Sequence, residues 1–592
     1  MEQQDQRNML LALVLCFGLF MVYNFLVLEP QQKAAQQQRA VAEQNQQKQE
    51  AAPPTATFKP RLEVVSAELA AGQRVAINAP AMDGSIALKG SRIDDVSLKN
   101  YYETIQDKEA KRVAGEIKLL SPEGTDRAFY ATVAWTSPSS TTDDVVWTQT
   151  STGPLTPENP LKLNYTTEVA KIDRTIEIDA NYMFTVTDVL TNLSTQAITL
   201  TQQAQLRQRA LHEHTTTPVS EQQAHRGVLG TYGGQTNQQL NYNDLNQGKA
   251  VSRNVTGGWN SLTTKYWMAA TIPPQTEEVT MLGGSSKLNG ETTFTAGYQL
   301  SPYVVQPGQS VTKIAKIFAG AKRYSVLDNY EKAGVPYFTD AIDWSWLFFI
   351  TKPFFWLLQL FQTWFGSFGL AILALTVVVK TVFFPLQFGM YKSMSKMRLL
   401  QPEMKSIQER FAADPQRMRQ EQAKLFQREK VNPVAGCLPM LPTIFVFYAL
   451  FHTLAVTIEM RHTPFFGWIH DMSAPDPTSI FNLFGLIPWE PRNVPFIGGL
   501  LGIGVFPLLY GATMVGLQSL SAPPTDKMQR QIMRWIPLIF MVLFAGFASG
   551  LVIYYVWSNF ISIIQQYIIM RRTGVETEVD KWLKQRFGKK AD

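Results

Sequence analysis

Apolar residues are spread unevenly along the 592 residues, and that unevenness limits the folds open to the chain. Long apolar runs occupy residues 9 to 28 and recur after about 344, whereas residues 30 to 330 are polar and rich in Gln, Thr and Ser. A soluble domain of ordinary composition mixes the two classes throughout. The mean hydropathy of -0.08 averages over the contrast and conceals it. The pattern predicts a water-soluble domain held between membrane segments.

The first run, "MLLALVLCFGLFMVYNFLVL" from Met9 to Leu28, is long enough for a span of roughly 30 Å. A cleaved signal peptide calls for a shorter apolar core and a small-x-small site, which "NFLVLEP" does not offer. Cys16 follows Val14 and Leu15 rather than small residues and lies mid-span, which argues against a lipoprotein cysteine. Residues 1 to 28 are therefore expected to form an uncleaved signal anchor. Residues 29 to 57, dominated by Gln, Ala and Lys, have no apolar periodicity and read as a flexible linker.

From 58 to 335 the period is two. "TIEID" sets Ile176 and Ile178 opposite Glu177 and Asp179, and Phe184 and Val186 stand opposite Thr185 and Thr187. Many such runs, separated by Gly, Asn and Pro, predict a large antiparallel β-sandwich. His212, His214 and His225 are the one histidine cluster, without cysteine and without a zinc spacing, so they read as part of a surface loop. Asp188 and Glu213 carry no sign of a paired catalytic site. No metal, cofactor or enzymatic activity is expected.

Residues 343 to 366 are crowded with Trp and Phe and interrupted at Lys352-Pro353. That break leaves too few residues to span, which predicts an interfacial amphipathic helix. Five spans follow in residues 367 to 570, at about Phe368 to Leu386, Leu438 to Ile458, Phe496 to Leu517, Ile532 to Phe547 and Gly550 to Met570, with a tight reversal at "FASG". Residues 387 to 436 hold ten Lys or Arg against five Asp or Glu, and the tail from 571 to 592 holds seven against four. The loop from 459 to 495 has only Arg461 and Arg492. The positive-inside rule then places the first two in the cytoplasm and the 58 to 335 domain outside.

Two features in this region ask for a function. Lys380 lies in "LAILALTVVVKTVFFPLQ", where a central charge costs roughly 2.5 to 3.5 kcal/mol and must face protein or water. Thr376 lies one turn earlier on the same face; Tyr555, Asn559, Ser562, Gln565 and Gln566 give the last helix polar groups, and Gln518 ends another. Residues 387 to 436 place Met390, Met394, Met397, Leu400, Met404 and Ile407 at helical steps, and Pro415 suits the start of a second helix. A basic, Met-rich helical hairpin with Arg410 near its tip results, suited to ribosomal RNA, lipid headgroups or an acidic protein.

The segments "KTVFFPLQ", "MYKSMSKMRLLQPEMKSIQERF", "REKVNPVAGCLPMLPTIFVFYALF", "FGWIHDMSAPDP", "FASGLVIYYVWSNFISIIQQYII" and, in the β domain, "TGGWNSLTTKYWMAATIPP" resemble the YidC-type membrane protein insertases in their Gram-negative form. The resemblance covers essentially the whole chain. It implies a multi-domain membrane protein of the bacterial inner membrane: an anchor helix, an all-β periplasmic supersandwich, and a five-helix transmembrane insertase core with a polar groove. It also implies an insertase and chaperone for nascent membrane proteins, working alone or with the Sec translocon. The ribosome and signal-recognition machinery and membrane lipids are implied partners; DNA is not. Lys380 stands where the family commonly has an arginine, and Thr376 and Tyr555 match positions that contact the incoming helix. Lysine is a compact charge that loses its proton more readily than arginine when desolvated.

A transporter would also hold an intramembrane charge, yet internal repeats or several matched charges are missing from the sequence. A membrane-tethered carbohydrate-binding or carbohydrate-processing protein would place function in the β domain and leave the basic hairpin without a role.

Overall fold

The computed structural model describes residues 58–575, except 139, 212–213, 215–223, 233, 289–290, 413, 430–439, 488, 490, 495–497 and 522–526, together with residue 580. The signal anchor, the linker, His212, Glu213 and most of the basic tail lie outside the described residues.

Period-two alternation produces two antiparallel sheets, of ten and nine strands, packed face to face. Ile176, Ile178, Phe184 and Val186 point into the core between them, and Glu177 points out. The alternation also carries Asp188 inward. Its carboxylate accepts from Arg174 Nε at 2.7 Å and Nη2 at 2.8 Å, and from Trp135 Nε1 at 2.8 Å on the opposite sheet. The Arg174 guanidinium lies over the Trp147 ring. A buried carboxylate with this many donors is a stitch between the sheets, since every charge is paired where water is excluded.

The histidine expectation is corrected. His214 is buried, its ring stacked on Tyr242 at 4.7 Å, and its Nδ1 accepts the Leu211 N–H. His225 is half-buried, and its ring nitrogen lies 3.0 Å from the Val228 carbonyl. An aromatic partner outweighs loop position for a flat, half-apolar ring.

The helices that follow are numbered α1 to α9. Helix α1, Phe348–Phe365, runs unbroken through Pro353, contrary to the expected interruption. Phe354, Phe355 and Leu358 are buried directly after the proline, and this packing outweighs the one hydrogen bond the proline removes. Phe355 joins the core of the β domain together with Trp344, so the two regions share a continuous apolar interior.

Helix α2, Phe368–Val382, is capped by Ser367 and bends by 67° into α3, Phe384–Leu399, which carries Pro385 in its first turn. Pro402 then opens a separate helix, α4, Gln401–Arg410, and α5 is Pro415–Arg428 with Asp414 as its cap. The expected single methionine face is therefore divided. Met390 and Met394 ride on α3, which packs against the last helix, while Met397 and Met404 belong to the small hairpin core of Leu400, Met404 and Leu425. Arg410 is exposed at the end of α4.

Helix α6 is Met440–Val456, α7 is Val505–Leu520, α8 is Lys527–Phe544 and α9 is Ser549–Arg572. The expected span beginning at Phe496 is shorter than its apolar run, because α7 starts only at Val505. Arg492 causes the delay: it donates to Gly502 O at 2.6 Å, Asp476 O at 2.8 Å and Ala545 O at 2.8 Å. A Cβ at Gly498 would lie 2.0 Å from the Arg492 carbonyl, so only glycine fits there. No single described helix is both long and apolar enough to cross a membrane; the bent pair α2 and α3 meets that test together.

The connection between α6 and α7 docks on the β domain. Arg461 donates to the Tyr102 carbonyl at 2.9 Å, and Lys108 donates to the His462 carbonyl at 2.7 Å. The 459 to 495 loop and the β domain thus share one end of the helical core.

Candidate functional site: a polar stripe among apolar helices

Lys380 occupies the last turn of α2, where its cation opposes the negative end of the helix dipole. Its Nζ donates to Ser562 Oγ of α9 at 2.7 Å, and that hydroxyl in turn donates to the Ser558 carbonyl at 2.9 Å. Ser562 thus turns a backbone carbonyl into a relay for the ammonium.

On α9, residues Tyr555, Asn559, Ser562 and Gln566 recur every three or four positions and therefore share a face. Asn559 Nδ2 donates to Thr513 Oγ1 of α7 at 3.2 Å. Farther from Lys380, about 10 Å up the helix at 1.5 Å per residue, Tyr555 packs against the rings of Phe447 on α6 and Phe544 on α8.

Several polar atoms here are buried without a protein partner: the Tyr555 hydroxyl, Gln565 Oε1, Gln566 Nε2 and Gln387 Oε1. A dry core satisfies such atoms, because each one left unpaired costs about 1 to 3 kcal/mol. They are distributed along α9 and α3 on either side of the Lys380 to Ser562 contact, polar groups to which water or a polar visitor can bond.

Other expected members are placed differently. Thr376 is fully buried, and its hydroxyl donates to the Ile372 carbonyl at 2.7 Å, with no side-chain bond to another helix among the described residues. Gln518 is half-buried near the end of α7 and makes no side-chain hydrogen bond among the described residues.

The sequence reading missed α3. Gln387, Tyr391 and Ser395, four residues apart, form its buried face against α9, and Tyr391 reaches Ser562. The signal was the i, i+4, i+8 spacing of polar residues after Lys380, masked by the basic charges that assigned this segment to a cytoplasmic loop. No cluster of His, Cys, Asp or Glu fit to hold a metal occurs among the described residues.

A family model described as "60Kd inner membrane protein" matches residues 360–576, and one described as "YidC periplasmic domain" matches residues 74–357. The chain is 42% identical over 588 residues to the membrane protein insertase YidC of Maricaulis maris, covering 98% of each. It belongs to the YidC family of membrane protein insertases. The YidC of Caulobacter vibrioides is 39% identical over 620 residues, covering 100% of this chain and 99% of that one. A crystal structure of an active YidC insertase with its first transmembrane domain resolved covers 84% of this chain and 92% of its own, at 15% identity and a TM-score of 0.36. Like its YidC relatives the chain is a membrane protein that inserts membrane proteins, an insertase rather than an enzyme.

Proposed function

We propose that the chain acts at the bacterial inner membrane as a multi-pass insertase, receiving nascent membrane proteins along the stripe that Lys380 and α9 form. The Lys380 to Ser562 contact beside several unpaired buried polar atoms carries the reading. An entering segment brings polar flanks that need partners and an apolar stretch that needs lipid. The stripe offers the first on one side, and the exposed apolar residues of the same helices offer the second.

Helix lengths support the same reading. At 1.5 Å per residue, the 15-residue α2 and the 16-residue α7 measure roughly 22 and 24 Å. The hydrocarbon they meet is about 30 Å thick, so the bilayer thins beside them and shortens the crossing. The exposed hairpin of α4 and α5 is suited to first contact with a nascent chain, the ribosome or the signal-recognition machinery, and the Sec translocon is a partner for larger substrates. Met397 and Met404, with Arg410 and the Pro415 helix start, belong to that receiving end, and Met390 and Met394 lead into it on α3; Gln518, Tyr555, Asn559, Ser562 and Gln565 belong to the groove.

The test is reconstitution of the purified chain in liposomes with protease protection of a small single-span protein. Protection above that in empty liposomes is expected, and its absence would overturn the reading.

A further inference from the structure

We infer that residues 479–487, with Trp489, form a preformed apolar knuckle that inserts into the lipid leaflet on the β-domain side, beside the N-terminus of α7. From Pro477 to Trp489 the sequence "PTSIFNLFGLIPW" has no ionisable side chain. Phe481, Leu483, Phe484, Leu486, Ile487 and Trp489 are all exposed, Leu486 at 83%. Contiguous apolar surface of this extent marks a contact with membrane or protein.

The loop's backbone says which. Asn482, itself buried, uses Oδ1 to accept the N–H groups of Ser479 at 3.0 Å and Gly485 at 2.9 Å, and its Nδ2 donates to the Trp489 carbonyl at 3.2 Å. Phe484 N–H donates to Ser479 O at 2.8 Å, Leu486 N–H to Leu483 O at 3.3 Å and Ile487 N–H to Asn482 O at 3.1 Å. Ile480 N–H reaches Ile503 O at 3.0 Å, and Phe481 N–H reaches Ser479 Oγ at 3.1 Å. A loop that faces water has no need to satisfy its amide donors internally. A loop in hydrocarbon does, and this one spends them internally almost throughout.

Closing the loop this way holds Leu483 at φ 48° and Phe484 at φ 59°, a left-handed backbone that large side chains rarely adopt. The result turns the amides inward and the apolar side chains outward.

Depth follows from the attachment. Ser479 Oγ donates to Leu501 O at 2.5 Å, and Thr478 Oγ1 accepts the Val505 N–H at 3.0 Å, so the knuckle is stapled to the first turn of α7. A bilayer that thins to match this short helix brings its acyl boundary to the helix end, and the knuckle lies at that level. Trp489, at the rim, suits the headgroup level.

The test uses the full chain with Cys16→Ser and Cys437→Ser, carrying a nitroxide at Leu486→Cys or Leu483→Cys, in phosphatidylethanolamine and phosphatidylglycerol liposomes. A nitroxide at Val146→Cys, 70% exposed on the β domain, is the water reference. Collision with oxygen at the knuckle is expected to exceed that at the reference, with collision with a water-soluble nickel chelate at least several-fold below it. Nickel collisions equal to the reference would show a water-facing loop and overturn the inference. Low collision rates with both reagents would show a protein contact and overturn it equally.

Discussion

Lys380 sits among valine, threonine and phenylalanine, and among the described residues its side-chain partner is the Ser562 hydroxyl. Lys380→Arg is expected to keep insertion, Lys380→Ala to lower it, and Lys380→Glu to lower it about tenfold for substrates with acidic leading segments, the equivalent of about 1.4 kcal/mol in barrier. The cause is attraction in a medium of reduced dielectric, where charge pairs are worth more than in water. Insertion rates for acidic, neutral and basic leaders, measured side by side, check it; equal rates for all three in a folded Lys380→Glu protein would refute it. Asp188 offers a stability test. Asp188→Ala leaves the Arg174 guanidinium buried and unpaired, and is expected to cost about 3 to 5 kcal/mol in denaturant unfolding, whereas replacing both by apolar residues costs far less. His214 sets an acid limit. Burial holds its ring down to about 4 from 6.5, so the unfolded chain binds more protons between those values. Stability is then full above about pH 6.5 and falls as pH drops toward 4. His214→Phe keeps the ring stack and is expected to flatten that loss in thermal unfolding followed against pH. The flattening is partial, because His462 is held down to about 4 by burial as well.

The helical hairpin rests on a small core of its own. Its core is Leu400, Met404 and Leu425 with a few half-buried neighbours, and Arg428 meets Glu403 at 2.6 Å on the surface. Exposed ion pairs of this kind contribute little, so the leucine contact holds the element. Leu425→Asp is expected to speed amide exchange in α4 and α5 at least tenfold while leaving the β domain unchanged. Insertion should fall with it if the hairpin receives nascent chains, and wild-type activity with a melted hairpin would remove that role. The period of the methionines was legible in the sequence, but the break was set by Pro402, which divides one apolar stripe between α3 and α4. Pro353 shows the converse, since buried Phe354 and Phe355 carry α1 through it.

At the scale of the molecule, the β domain and the loop between α6 and α7 meet through Arg461, Lys108 and the Tyr102 and Glu103 carbonyls. The expected topology therefore puts both outside and the hairpin in the cytoplasm. A cysteine at the exposed position Ser406 is expected to react with a membrane-impermeant maleimide only after the membrane is opened; labelling from the periplasmic side of intact cells would overturn this. Asp343 ties the halves together: its carboxylate accepts the His225 N–H at 2.9 Å, and its carbonyl lies 2.7 Å from His452 Nε2 of α6. Burial pushes that carboxyl upward, yet hydrogen bonds from His452 and from the Ser345 and His225 amides hold it down to about 2.

The sequence by itself determined the class of molecule. Alternation at period two, apolar runs of span length and the sign of loop charges are local quantities, and each survives averaging over its neighbours. It also singled out Lys380, because a charge in an apolar run is costly wherever the helix ends up. Which groups answer that charge was decided only in three dimensions. Ser562 lies 182 residues away, and Gln387 and Tyr391 reach the site only because α2 and α3 bend by 67° at a proline. Thr376 and Ser562 looked equivalent as polar residues in apolar helices, and both hydroxyls donate to a carbonyl of their own helix, yet only the Ser562 oxygen also meets the ammonium. That difference depends on which neighbour each side chain meets, a property of packing that no single segment contains.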